Sequence, residues 1–416
     1  MRDRPLGAEL RANSDKPVST PAASDLTDSQ GRMLVFLSFS AFASATNLRI
    51  CDSLLPQIAN EFSVTVGNAA AVVTAFAISY GLAQIGAGPL ADARGKLFMI
   101  SAGSLMAGVM TLACAAMPQL ISLVAFRFLA GAGAAAVIPL AMAWIGDVVP
   151  YEKRQPILAR FLSGQIMGIV CGQAMGGILG DFAGWRVTML AVAALHLVAG
   201  SMLIVEMRRS GLGAVTAGRA RWRQSAISTA RVFQTPWVRV ILATVFIEGF
   251  AMFGAFAFVG SELHARFGIS LSTAGVMLAT LGVGAMIYSM TAPTLVARLR
   301  QPGLVRYGSL GLAGGYLTLA VMPSAWFAVP AIMVMGLGFY MFHNTLQTNA
   351  TQMAPEARGL AMSLFAFTLF VSQSVGVAVA APIMDRWGGR PIFVVSALLL
   401  LVAAQWFRSR LLVRLA

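Results

Sequence analysis

The stretch ILATVFIEGFAMFGAFAFVG, residues 241–260, holds one acid, Glu248, among twenty residues. A carboxyl in the middle of so apolar a run can load a proton and release it when water reaches it. The plainer reading is a permanently protonated Glu bonded to a neighbouring helix. A second group lies in TNLRICDSLLP, residues 46–56, where Arg49 and Asp52 stand three positions apart. They could form an i,i+3 ion pair on one helix or a charged end snorkelling to water. The expected geometry is instead an Asp52–Arg127 pair between helices, with Arg49 facing the same cavity. The segment FYMFHNTLQ, residues 339–347, adds His343, an imidazole able to titrate near neutral pH, and the amide of Asn344. Gln165, Gln173 and Gln373 supply further buried amides.

These groups need an apolar frame. Of the 416 residues, 58% are hydrophobic and only 11% charged, against about a quarter charged in soluble domains. So few charges cannot cover a soluble surface of this size. The chain reads as a polytopic, all-α membrane protein. Asp52 and Glu248 are the two acids expected inside apolar runs, where an ionised group costs ~2.5–3.5 kcal/mol on insertion scales. Such a residue is a functional candidate by default.

A bilayer is crossed by roughly 20 apolar residues per helix. Twelve segments qualify, near 33–55, 68–90, 97–117, 120–147, 159–180, 187–205, 238–260, 272–295, 306–324, 328–352, 359–384 and 391–408. Of the 30 Lys and Arg residues, 24 fall in the set of loops that contains both termini and four in the opposite set. Positive charge marks the cytoplasmic side, so both termini are expected there. The formal charge of +14 then reflects loop topology and not nucleic-acid binding. Cys51, Cys114 and Cys171 lie in apolar runs without metal-ligand spacing, and they read as small, reduced hydrophobes. No metal is expected.

Residues 1–32 read as a disordered cytosolic tail and 206–237 as a basic cytosolic linker, with a short tail at 409–416. Across the linker the sequence echoes itself at an offset of 204 to 205 residues. EFSVTVGNAA (61–70) matches RFGISLSTAG (266–275), and GDFAGWR (180–186) matches MDRWGGR (384–390). The echoes predict two pseudo-symmetric six-helix halves, 33–205 and 238–408. Such duplicated halves place a solute site at their interface and rock about it.

GPLADARGK, residues 88–96, lies between the second and third segments, with Gly88 and Gly95 expected to form a tight turn beside Asp92 and Arg94. In this setting it resembles the signature loop of the major facilitator superfamily, a conformational latch in that family, with Ala93 replacing the usual basic residue. Gly164, Gly168, Gly172, Gly176 and Gly180 recur every fourth residue, forming a smooth helix stripe. Within the stripe, GIVCGQAMGGIL (168–179), with Gly172, Gly176 and Gly177, resembles the motif of the drug:proton antiporter branch, although Gln173 stands where that motif has Pro. RFLAGAGAAA (127–136), anchored by Arg127, resembles the family's fourth-span motif.

The resemblance implies the family's fold and a transporter in a bacterial inner membrane, acting as a monomer on a small-molecule substrate. With no Walker-type phosphate loop or HExxH motif, the chain is not expected to be an enzyme or to need a cofactor. A proton gradient is the expected energy source, with Glu248 and Asp52 as coupling acids. Arg49, Arg127, Gln165, Gln173, His343 and Asn344 are the expected cavity residues. Export of amphipathic compounds leads. Proton-coupled uptake of an organic anion is the second reading, and a receptor or channel the third.

Overall fold

The computed structural model describes residues 26–212, 234–354 and 358–415. Most of the tail and linker predicted from the sequence therefore lie outside the described residues. Among those described, the regular structure is helical throughout.

The first helix, α1 (Asp28–Arg49), starts at Thr27, whose hydroxyl accepts from Gln30 N while Gln30 reaches back to Thr27. This capping box satisfies two otherwise orphaned backbone donors, so helix begins inside the predicted tail. At the other end the sequence reading overshoots. The helix stops at Arg49, turns through residues 50–54, and restarts as α2 (Leu55–Glu61) with Pro56 in its first turn. Proline lacks the N–H that a continuous helix would need and clashes with the preceding turn. Asp52 therefore sits in a break between helices.

Next come α3 (Val66–Ala69), α4 (Ala71–Arg94), α5 (Lys96–Cys114), α6 (Leu120–Ala134) and α7 (Val137–Val148). Gly95 makes the turn between α4 and α5 at φ +93°, a conformation costly for any residue with a Cβ. Gly88, expected to share that turn, lies instead within α4.

The long α8 (Tyr151–Ser210) is interrupted by non-helical geometry at Gly184. After the linker come α9 (Pro236–Phe256), α10 (Val259–Phe267) and α11 (Leu271–Val321), the last interrupted at Arg300. The chain ends with α12 (Ala328–Ala350), α13 (Arg358–Trp387) and α14 (Gly389–Leu415). The helix α14 thus runs through the predicted tail at 409–415. Nine helical segments among the described residues are long and apolar enough to cross a membrane, and α1 is not among them. Large apolar side chains such as Phe182, Met290 and Val321 are exposed, as a lipid-facing surface requires.

The packing differs between the two ends of the bundle. One end carries Glu61, Asp181 and Asp385; the other carries Asp92, Asp147 and Arg300. Towards the Asp385 end, Ile50, Leu54 and Val73 share one buried cluster with Phe256, Leu278 and Val377 from beyond the linker. At the Asp92 end, Met33, Leu97, Trp144 and Phe161 form a cluster drawn only from residues before it.

Candidate functional site

Arg49 closes α1 and lies buried. Its Nη1 is 3.6 Å from Asp52 Oδ2, an ion pair too long for a good hydrogen bond. Its Nη2 donates to Gln373 Oε1 on α13 at 3.4 Å, and its guanidinium carbon stands 4.1 Å above the Phe253 ring on α9. One arginine from before the linker thus touches two helices from after it. Gln173 stands beside Asp52, and neither atom of its amide is hydrogen-bonded. Both Asp52 carboxylate oxygens and Gln373 Nε2 also lack hydrogen bonds among the described residues.

The expected Asp52–Arg127 pair does not form. Arg127 donates to Asn47 Oδ1 at 2.5 Å, to the Asn47 carbonyl at 3.2 Å and to the Val72 carbonyl at 3.4 Å, while lying over Phe76. A planar guanidinium with several fixed donors suits such a cluster of neutral acceptors. Arg49 is the ion-pair partner of Asp52, with the i,i+3 spacing of the alternative, but Asp52 lies in the turn beyond α1 and not on the same helix. Asn47, which the sequence reading did not single out, anchors Arg127 and in turn donates to Thr111 Oγ1 at 2.9 Å.

Glu248 lies fully buried on α9, with Oε2 at 2.8 Å from His343 Nδ1 on α12. Its other oxygen has no hydrogen-bond partner among the described residues. The His343 ring stacks on Phe339, with centroids 4.8 Å apart and planes within 18°. Asn344 is half-buried, and its carbonyl accepts from Thr348 Oγ1. Gln165 is also half-buried, and no side-chain hydrogen bond holds it among the described residues. The structure brings Glu248 and His343 together and leaves Gln165 apart from them.

Two further buried acids escaped the sequence reading. Glu206 pairs with Arg32 at 2.9 Å, and Glu262 accepts from Gly389 N at 2.8 Å. Both sit near segment ends, where hydropathy averages hide them. His196, equally unforeseen, lies buried near Ser104.

The glycine stripe faces α1. A Cβ added at Gly172 would come within 2.7 Å of the Thr46 carbonyl, and one at Gly164 within 3.0 Å of the Ser38 carbonyl. Gly168 and Gly176 meet the carbonyls of Phe42 and Ile50 in the same way and Gly180 meets the Leu54 side chain, whereas Gly177 faces Leu271 and Gly275 on α11.

Contacts across the linker gather from mid-bundle to the Asp385 end. Asp181 on α8 accepts from the backbone N–H groups of Leu271 and Ser272, at 3.3 and 2.6 Å, at the start of α11. Asp385 on α13 accepts from Gly67 N at 2.8 Å, at the start of α3. The orphan donors and positive dipole of a helix start favour a carboxylate there. Asp181 and Asp385 occupy matching positions in the GDFAGWR and MDRWGGR echoes, a signal present in the sequence but not drawn out of it. Ser374 Oγ donates to the Thr74 carbonyl at 3.3 Å, and Tyr80 packs 4.4 Å from Phe370. At the Asp92 end, Asp92 and Arg94 are exposed, and no hydrogen bond or ion pair joins the two sets of helices among the described residues. The nearby Lys96–Asp147 pair stays within one set.

Known proteins resemble this chain in sequence and in fold. The sequence is 25% identical to the uncharacterized MFS-type transporter YceJ of Bacillus subtilis over 83% of this chain and 88% of that protein. It is 28% identical to a chloramphenicol resistance protein of Streptomyces lividans, over 86% and 90% respectively. The fold is similar to a bacterial homolog of the human lysosomal transporter Spinster, with TM-score 0.72 and 17% identity, covering 93% of this chain and 98% of that one. These relatives are transporters and not enzymes. Residues 37–377 match the family model of the Major Facilitator Superfamily, and the chain belongs to that family.

Proposed function

We propose that this transporter is a proton-coupled exporter of small amphipathic compounds that works by alternating access. The Glu248–His343 pair carries the reading. A buried carboxyl with one imidazole partner and one unpartnered oxygen can take up or release a proton with little rearrangement, and intramembrane acids commonly mark such relays. Asp52 is the second coupling acid, tied to Arg49 at the seam between the two sets of helices. Arg49, Gln173 and Asn344 serve the solute path, with Gln165 further along it. Arg127 braces α1 through Asn47.

The architecture that fits this mechanism has twelve crossings in two six-helix halves. Two of the nine apolar segments fold back, at Gly184 and Arg300, and α1 supplies one more crossing. The distribution of basic residues supports cytoplasmic termini, in what we take to be a bacterial inner membrane, and on that reading the Asp385 end faces outside. The conformer is then the one joined on the outside, with the Asp92–Arg94 latch engaging in the opposite state. The transporter works as a monomer without a cofactor. The likeness to a chloramphenicol resistance protein supports export and makes chloramphenicol the first solute to try.

The test is reconstitution of the purified chain into liposomes with an imposed proton gradient and a solute panel headed by chloramphenicol. The expected result is solute movement against the proton flow, abolished in Glu248→Gln. Accumulation with the proton flow would overturn export, and an unchanged pH dependence in Glu248→Gln would overturn the proton site.

A further inference from the structure

An unbroken line of side-chain contacts leads from Glu248 to the seam between the two sets of helices. Glu248 meets His343 at 2.8 Å, and His343 stacks on Phe339 at 4.8 Å. Phe339 packs nearly edge-on to Phe253, with centroids 5.1 Å apart and planes at 71°. Phe253 carries the Arg49 guanidinium on its face at 4.1 Å. Arg49 in turn holds Asp52 and Gln373.

We propose that Phe253 is the positioning residue that couples the Glu248–His343 pair to the Arg49 seam. The proposal rests on Glu248 being the proton site, and it adds how a proton there is felt by the other set of helices. His343 is held between a carboxylate on one edge and the Phe339 ring on its face. A change of charge at Glu248 alters the pull on the imidazole, and the stacked Phe339 ring follows. Phe339 sets the tilt of Phe253 through the edge contact. The tilt matters because a cation is attracted to the ring face, where the quadrupole is negative, and not to its edge. A tilted Phe253 therefore loosens Arg49 from its seat, and with it the link to Gln373.

The surroundings favour this route. Phe253 and Phe339 are both buried, so the line is packed on all sides and a ring movement must be taken up by its neighbours. The other titratable or charged groups nearby are Tyr340 on α12 and Tyr316 and Tyr288 on α11. Tyr316 is committed to the Met252 carbonyl, and Tyr288 packs against Tyr340. From α13 come Phe365, against His343, and the neutral Ser372, beside Gly249. From α14 comes Phe393, against Tyr316, and Glu262 on α10 is bound to Gly389 N. Arg49 is the nearest cation to the pair along this line.

The test uses the full chain in lipid nanodiscs, its three native cysteines replaced by Ala. Spin labels go at Asn60→Cys and Ala265→Cys, both exposed and on opposite sides of the seam. Distance distributions are recorded between about pH 5 and about pH 8, the range in which an imidazole titrates. The parent protein is expected to change its ratio of short to long distances about tenfold or more across that range. Phe253→Leu keeps the bulk but removes the ring quadrupole, and the change should fall below about twofold. Phe253→Tyr keeps the ring and should restore it. A merely structural role would be met equally well by Leu and would leave the pH response in place.

A parent-like response in Phe253→Leu, with Glu248→Gln unresponsive, overturns the relay and leaves the proton site standing. A parent-like response in Glu248→Gln overturns the proton site itself. An unresponsive parent overturns both. If Phe253→Leu is not monodisperse and folded, Phe253→Met answers the same question.

Discussion

The two ends of the bundle hold their helices in opposite ways. At the Asp385 end, two carboxylates at matching places in the sequence echo each reach across to the start of a helix in the other set. At the Asp92 end, the best-marked loop of the sequence stands exposed, and its acid touches nothing from the far set among the described residues. The family signature therefore marks the end where no polar contact between the two sets is seen among the described residues, while the contacts seen to hold this conformer are built from residues with no signature. A transporter needs both kinds of end, since a contact strong in one state must be absent in the other for the equilibrium to be movable.

Arg49 lies at the junction of these two regimes, and its removal should have the largest effect. Arg49→Ala leaves Asp52 buried without its cation, a loss worth about 3–5 kcal/mol in comparable buried pairs. Thermal unfolding of the purified protein should show it as a large drop in midpoint. Arg49→Lys keeps the charge but loses the planar contact with Phe253 and Gln373, so its drop should be smaller. Equal midpoints for the parent and Arg49→Ala would mean that the seam is not held there.

The glycine stripe sharpens the comparison along a single helix pair. A Cβ at Gly172 would press on the Thr46 backbone at 2.7 Å, whereas one at Gly164, nearer the separated end, would approach the Ser38 carbonyl at 3.0 Å. Overpacking of this kind costs about 1–3 kcal/mol. Gly172→Ala should therefore lower the unfolding midpoint more than Gly164→Ala. The reverse order would show that α1 and α8 yield more easily towards the joined end.

The two carboxylate contacts should come next. Asp181→Asn and Asp385→Asn each keep an acceptor oxygen but lose its charge, at about 1 kcal/mol apiece. The sites are separate, so the double variant should show the sum. The measurement is the label distance across the Asp385 end, where each single change should shift the population towards longer distances and the double should shift it further. Unequal single effects would show that the echo in sequence is not matched by an echo in energy.

The membrane class and the apolar helices were legible because composition and hydropathy average over many residues, and the family because GPLADARGK and RFLAGAGAAA resemble its motifs. The burial of Glu248 was legible for the related reason that one acid in a long apolar run stands out. The partner of Asp52 was not legible. Arg49 and Arg127 look equivalent along the chain, and only the break at residues 50–54 and the acceptors offered by Asn47 tell them apart. Gly88 was misplaced because a glycine is equally compatible with a turn and with a helix that nothing crowds. Asp181 and Asp385 were visible in the echo but could not be valued, since a carboxylate gains its meaning from a helix start supplied by a distant part of the chain.

The smallest expected effect belongs to the most recognisable residue. Asp92 is exposed and forms no ion pair among the described residues, and substitutions at such places usually change stability by no more than about 0.5 kcal/mol. Asp92→Asn should therefore leave both the unfolding midpoint and the distances across the Asp385 end as they are in the parent. If the loop acts as a latch, it does so when the Asp92 ends come together, and the substitution would then slow turnover without touching this state. A clear drop in midpoint for Asp92→Asn would contradict that division, because it would place a stabilising contact of the separated end in the conformer where none is seen.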